Sequence, residues 1–255
     1  GGLSANIDLF HERRENILIT RVIPQTMGII PSIKANLGIA SGKGVDMELN
    51  YEKIISNDFY VTGRGTFTYA ASKVIEWEEP DYADTPWRSR VGHSINQQWG
   101  YIAERFFVDE LEVANSPTQF GNVMGGDIKY HDVNDDGVIS ALDQVPIGYP
   151  TVPEINYGFG SSIGYKGFDF SFFFQGSGRQ SFWLDINNIQ PFVDGDPNDG
   201  LIGQNAVLQA IAENYWTESN RNPYAFWPRL STYSITNNNQ TSTWWMQDGS
   251  FLRLK

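Results

Sequence analysis

Ile155-Asn-Tyr157-Gly-Phe159-Gly-Ser161-Ser-Ile163-Gly-Tyr165-Lys166-Gly167-Phe168-Asp-Phe170-Ser-Phe172-Phe-Phe174-Gln175 reads as two strands joined by a two-residue turn. Ile155, Tyr157, Phe159, Ile163 and Tyr165 alternate with Asn156, Gly158, Gly160, Ser162 and Gly164. The return run sets Phe168, Phe170, Phe172 and Phe174 against Asp169, Ser171, Phe173 and Gln175. A period of two sends alternate side chains to opposite faces of a sheet. Lys166-Gly167 has the length and the glycine of a tight hairpin. Upstream, Val45, Met47, Leu49 and Tyr51 alternate with Asp46, Glu48, Asn50 and Glu52. After a Lys53–Asn57 connection, Phe59, Val61, Gly63, Gly65, Phe67 and Tyr69 share one parity, against Tyr60, Thr62, Arg64, Thr66 and Thr68. The chain is predicted to be all-β.

Alternation alone fits a half-buried soluble sheet as well as a membrane strand. Strand length and connection length separate the two. Several runs reach the roughly 9–11 residues that a tilted membrane strand needs. Connections are very short (Lys53–Asn57, Lys166-Gly167) or very long (76–153, 178–241), the asymmetry of outer-membrane barrels with short periplasmic turns and long external loops. With both short turns on the periplasmic side, Asp58–Ser72 and Phe168–Ser177 run outward, and Val45–Glu52, Glu154–Tyr165 and Thr243–Lys255 run inward. Leu3–Ile19 then runs outward, with Thr20–Gly42 as its external loop. Six membrane strands result, too few to close a sizeable barrel, so the reading is a transmembrane antiparallel β-barrel segment of a longer polypeptide. Within the second long loop, Val207, Leu208, Ile211, Ala212 and Tyr215 predict a helix over Asn205–Trp216.

Composition narrows the function. The 255 residues carry 30 Asp and Glu against 18 Lys and Arg, which argues against a nucleic-acid partner. There is no cysteine, hence no disulfide framework, thiolate metal site or thiol nucleophile. No apolar run is long enough for a membrane helix, and the first residues have no signal-peptide pattern. His11, His93 and His131 are scattered, and no nucleophile elbow or phosphate loop occurs, so no enzyme is expected.

The sharpest motif is Asp132-Val-Asn134-Asp-Asp136-Gly137-Val138-Ile139-Ser140-Ala-Leu-Asp143. It has the spacing of an EF-hand-type loop: side-chain oxygens from Asp132, Asn134 and Asp136, the Val138 carbonyl, Ser140 through water and Asp143 at the twelfth position. Gly137 holds the sharp turn and Ile139 the apolar anchor. Hard oxygen donors select Ca²⁺, in a structural role that stiffens a long loop. Asp194–Gly200 has similar composition without the spacing and reads as a solvated turn. Trp87, Trp99, Trp183, Trp216, Trp227, Trp244 and Trp245 suit ligand stacking, but loop-core or interfacial packing is the more ordinary use.

These segments together resemble one family. Gly126-Asp-Ile-Lys-Tyr130-His-Asp132-Val-Asn134-Asp-Asp136-Gly137, Ile147-Gly148, Pro153-Glu154-Ile-Asn-Tyr157-Gly158-Phe159 and Tyr165-Lys166-Gly167-Phe168-Asp169 occur in the order found in the C-terminal half of SusC/RagA-type TonB-dependent outer-membrane transporters of Bacteroidetes. Phe172-Phe-Phe174-Gln175-Gly176, Pro228-Arg229-Leu230-Ser231 and Ser242–Lys255 continue the pattern, and Gly44–Tyr51 is similar to an upstream strand of the family. The resemblance implies part of a 22-stranded barrel in the cell outer membrane, plugged by an N-terminal domain. It also implies a SusD-like surface lipoprotein partner, energy from the TonB complex and import of glycans or peptides. The plug and the last strands are not among these residues, and no substrate-binding residue follows from the motifs. A secreted, calcium-stabilised β-sandwich that binds carbohydrate is the alternative, and a glycoside hydrolase fragment a more distant one.

Overall fold

The computed structural model describes residues 2–23, 33–192 and 205–255. In chain order the strands are β1 (Gly2–Thr20), β2 (Lys34–Ser56), β3 (Phe59–Glu76), β4 (Gln98–Gly100), β5 (Ala103–Phe106), β6 (Ile128–Tyr130), β7 (Val145–Ile147), β8 (Ile155–Tyr165), β9 (Phe168–Gly178), β10 (Ser181–Trp183), β11 (Met246–Asp248) and β12 (Phe251–Leu254). Three short helices lie between them: α1 (Glu110–Ala114), α2 (Ile186–Ile189) and α3 (Gln209–Glu213). Strands β1-β2-β3-β8-β9-β12 form one six-stranded antiparallel sheet in that order. The remaining strands pair two by two within the long connections. The sheet does not close on itself; β1 and β12 are its edges.

The register gathers the apolar parity of every long strand on one face. Leu9, Val45, Tyr69, Ile155 and Gly178 form one row across five strands, and Ile7, Met47, Phe67, Tyr157 and Gly176 form the next. Leu3, Leu49, Phe159, Phe168, Phe170, Leu252 and Leu254 also stand exposed. No second sheet covers this face among the described residues, which removes the sandwich alternative's defining feature. The opposite face carries Asp46, Glu48, Thr66, Thr68, Asn156 and Ser162, tied locally by the Thr68 hydroxyl donating to Asp46 at 2.7 Å. Phe173 is one of the aromatic exceptions there. It lies against Gly158 and Gly160, where an added Cβ would come within 2.7–2.8 Å of its ring. Tyr60 opposite Gly164 and Phe10 opposite Gly44 repeat this aromatic-on-glycine pairing.

Several boundaries differ from those predicted. β2 begins at Lys34, so residues 34–42 of the expected Thr20–Gly42 loop are strand. Gly38, Ala40 and Gly42 lack the apolar bulk that marks a strand. They belong to β2 through pairing with β1 and β3, and Ile19 and Trp77 close over Gly38 and Glu12 over Gly42. The first hairpin turn is Asn57-Asp58, so Lys53–Ser56 belongs to β2. Lys166 (φ 48°) and Gly167 (φ 85°) make the second turn with two left-handed residues, as a two-residue hairpin requires. The expected Thr243–Lys255 strand is split into β11, which pairs with β10, and β12, which joins the six-stranded sheet. Gly249 donates to the Gln180 carbonyl and the Ser250 amide to the Asp248 carboxylate, which breaks the run. The expected helix over Asn205–Trp216 is only α3. The Trp216 amide donates to the Trp227 carbonyl and the Trp227 amide to the Asn214 carbonyl, pulling the chain into an extended pairing. Asp194–Gly200 lies outside the described residues.

Candidate functional site

The connections 77–154 and 179–250 meet at one end of the sheet and share a core. Tyr101, Phe106, Ile128, Tyr130 and Ile139 from the first pack with Ile211, Trp216, Ala225, Trp227 and Trp245 from the second. Three of the seven singled-out tryptophans are therefore buried core. Trp183 and Trp244 pack against that core, Trp87 donates to the Leu142 carbonyl at 2.9 Å, and Trp99 stands edge-on to His93. Packing, the ordinary use, accounts for these positions.

A buried polar knot seals the two connections. Asp127 is fully buried; Arg229 donates to it through Nε (2.8 Å) and Nη2 (3.2 Å), Asn238 Nδ2 at 2.9 Å and the Met124 amide at 2.9 Å. Burial pushes the Asp127 carboxyl up, against the opposing pull of these donors. Asn237 Nδ2 and Gln119 Nε2 both donate to the Ile128 carbonyl, and Tyr130 Oη donates to the Asn237 carbonyl at 2.7 Å. Burial pushes the Tyr130 phenol far up, so it stays a donor. Gly126 (φ 86°) brings the chain past the Trp216 indole, where a Cβ would approach within 2.5 Å of the ring. No single segment displays this knot, because Arg229 and Asn238 stand 102 and 111 residues from Asp127.

The EF-hand-like loop sits at the rim of this module. Asp132 Oδ2 accepts from the Gly137 amide at 2.8 Å, while its Oδ1 is buried with no hydrogen-bond partner. Asn134 Oδ1 accepts from the Asp136 amide, and Asp136 Oδ1 from the Val138 amide. Asp143 is fully buried, its oxygens accepting from the Val133 (2.9 Å) and Ser140 (2.8 Å) amides. Gly137 (φ 83°) makes the sharp turn and Ile139 is buried in the shared core, as their positions require. Ile139 donates to the Thr118 carbonyl and Thr118 to the Gly137 carbonyl, so Thr118 bridges to Val138 in the loop. Asp132, Asn134, Asp136, Val138, Ser140 and Asp143 thus share one turn. Among the described residues, though, no three His, Asp or Glu side chains stand together as a ready metal cluster.

A third group was invisible to motif reasoning. Arg179 (φ 52°) leaves β9 beside Glu154, with Nε at 2.7 Å from the carboxylate. Its guanidinium lies 5.7 Å from the Tyr69 ring centre and 5.0 Å from that of Tyr149.

No family model matches the chain. TonB-dependent receptor P26 of Formosa agariphila is 27% identical over the whole chain, and TonB-dependent receptor P3 of the same organism is 25% identical over 99% of it. The chain spans about a quarter of the length of these curated relatives, 25% and 24%. Among solved structures, that of the RagAB peptide transporter superposes with a TM-score of 0.64 at 18% identity, over 99% of this chain and 26% of that one. The RagAB peptide importer in its 'open-open' state gives 0.65 at 19% identity, over 99% and 25%. These likenesses agree with the ordered strand, turn and loop segments: over its whole length the chain is similar to TonB-dependent receptors of Bacteroidetes, and its fold is that of the matching quarter of the RagAB transporter chain.

Proposed function

We propose that this segment forms about a quarter of the wall, and part of the external loop layer, of an outer-membrane importer for glycans or peptides. The carrying observation is the uncovered apolar face, continuous over all six strands and backed by a polar one. From Phe59 to Tyr69 it covers ten residue steps, about 33 Å along the strand at about 3.3 Å each, or about 25 Å of height at a tilt of about 40°. That equals the apolar band of an outer-membrane barrel. The polar face then lines the lumen, and the loop module lies outside the cell, where a SusD-like lipoprotein would meet it. Energy would come from the TonB complex through parts of the parent polypeptide. The names of the relatives, receptors and peptide transporters, support this reading.

The test uses the full-length polypeptide that carries this segment. Deleting its gene should abolish uptake of labelled oligopeptides or of labelled oligosaccharides, whichever is the substrate, and uptake should also stop without TonB. The protein should fractionate with the outer membrane and retain a surface lipoprotein on mild solubilisation. Recovery in the soluble fraction without detergent would overturn the proposal.

We also propose that the 132–143 loop holds structural calcium. The unpartnered Asp132 Oδ1 and the all-oxygen donor set support it. Asp132, Asn134, Asp136, the Val138 carbonyl, Ser140 and Asp143 would hold the ion, which would draw the carboxylates together and stiffen the loop. Calcium should then slow proteolysis around residues 132–143 in the full-length protein, and chelator should reverse this. Asp132→Ala with Asp136→Ala should remove the difference; equal cleavage with and without chelator in the unsubstituted protein would sink the site.

A further inference from the structure

We infer that the loop-side rim of the apolar face is a docking strip for anionic lipid headgroups, an inference that rests on the membrane reading above. Leu9, Val45, Tyr69, Ile155 and Gly178 form the last fully uncharged row of that face. The next row of the same parity is His11, Lys43 and Ala71, and the one beyond is Arg13, Ser41 and Lys73. Every ionisable side chain in these two rows is basic, and all four are exposed. Arg179 extends the strip to β9, one residue past Gly178, with its guanidinium over Tyr69 and Tyr149.

Two of these cations have acidic neighbours: Arg13 pairs with Glu15 at 2.8 Å and Arg179 with Glu154 at 2.7 Å. Lys43 and Lys73 are in no ion pair among the described residues, and the Lys73 side chain lies along Gly92. In a chain with net charge −12, two rows holding only basic groups run against the overall balance. The opposite, turn-side end of the sheet is mixed, with Lys53, Asp58 and Lys166. Position selects the occupant. The strip continues directly from the lipid-facing rows, so what meets it is the headgroup of the lipid whose chains cover Leu9 and Tyr69. Aromatic rings and basic side chains together at such a boundary suit a phosphate-bearing headgroup. Lys43 and Lys73 supply the free positive charge, and Arg179 adds a planar donor set held by two rings.

The experiment takes the full-length polypeptide into nanodiscs of equal phosphatidylglycerol and phosphatidylcholine, then releases it into mild detergent and counts retained lipids by native mass spectrometry. Phosphatidylglycerol should be enriched several-fold over phosphatidylcholine, and the enrichment should fall with added salt. Lys43→Gln with Lys73→Gln should bring the ratio close to parity while leaving the Arg179–Glu154 pair intact. Adding Arg179→Gln should complete the loss. Lys53→Gln with Lys166→Gln, at the turn side, should leave the enrichment unchanged. Folded electrophoretic mobility before heating confirms that each variant has assembled. Equal retention of the two lipids, or undiminished enrichment in the Lys43/Lys73 variant, overturns the headgroup inference alone. A protein that retains neither lipid and stays dispersed without detergent overturns the membrane reading itself.

Discussion

Arg229→Met tests what holds the loop module together. The substitution removes both guanidinium bonds to Asp127 and leaves a fully buried carboxylate with only the Met124 amide and Asn238 as donors. Breaking one partner of a buried ion pair costs about 3–5 kcal/mol. At about 1.4 kcal/mol per tenfold change, amide exchange through opening of the module should accelerate roughly a hundredfold to a few thousandfold. The Ile128 and Trp245 amides report it best. The first donates to Asn238 Oδ1, and the second lies in a residue whose indole donates to the Asn238 carbonyl at 2.7 Å. Amides in the middle of β3 and β8 should be unaffected. Asp127→Leu combined with Arg229→Met removes the stranded charge and should recover part of the loss. Acceleration below about fivefold in the single variant, or a double variant no better than the single, would refute the view that this pair locks the two connections.

Phe172→Lys places a charge in the middle of the apolar face and should destabilise the full-length protein by about 2–4 kcal/mol. Ser162→Lys on the polar face should cost far less; denaturant midpoints in detergent compare them, and equal effects would contradict the facing assignment. Burial alone would raise the Glu112 carboxyl, but the Val108 amide, Arg105 and Lys129 hold it below the ordinary carboxylate value. A depressed folded pKa stabilises above the ordinary value and is lost as pH falls through the folded one. Acidification should therefore loosen the α1 corner, measured as amide exchange at residues 108–112, and Glu112→Gln should flatten that response; identical acid profiles would remove Glu112 from the argument.

Much of the sheet was legible because a long alternating strand states its face at every second residue. Val45–Tyr51, Phe59–Tyr69 and Ile155–Phe174 show this, and their pairing follows the predicted directions. Legibility failed where bulk is absent. Gly38–Gly42 looks like loop, and its strand character comes from pairing with β1 and β3, while neighbouring side chains fill the space over the glycines. It failed again at Asn205–Trp216, where helical spacing yielded to hydrogen bonds with Asn214–Trp227 partners. The 132–143 loop was readable as a motif since its contacts are local. The Asp127–Arg229–Asn238 knot was not, because nothing in either segment announces the other. The basic strip around Lys43 and Lys73 needed the register before its residues stood in rows.

The shared core of the two long connections limits how such a protein can vary. Tyr101 exchanges backbone hydrogen bonds with Thr241 and Thr243, and the Thr243 hydroxyl accepts from the Ala103 amide, 140 residues away. A chimera that moves residues 77–154 into another barrel without 179–250 would carry half of an aromatic core and an unpaired Asp127 or Arg229. Surface diversity in this region must therefore arise at exposed tips, such as those around Tyr224 and Tyr233, or by exchange of both connections as one heritable block.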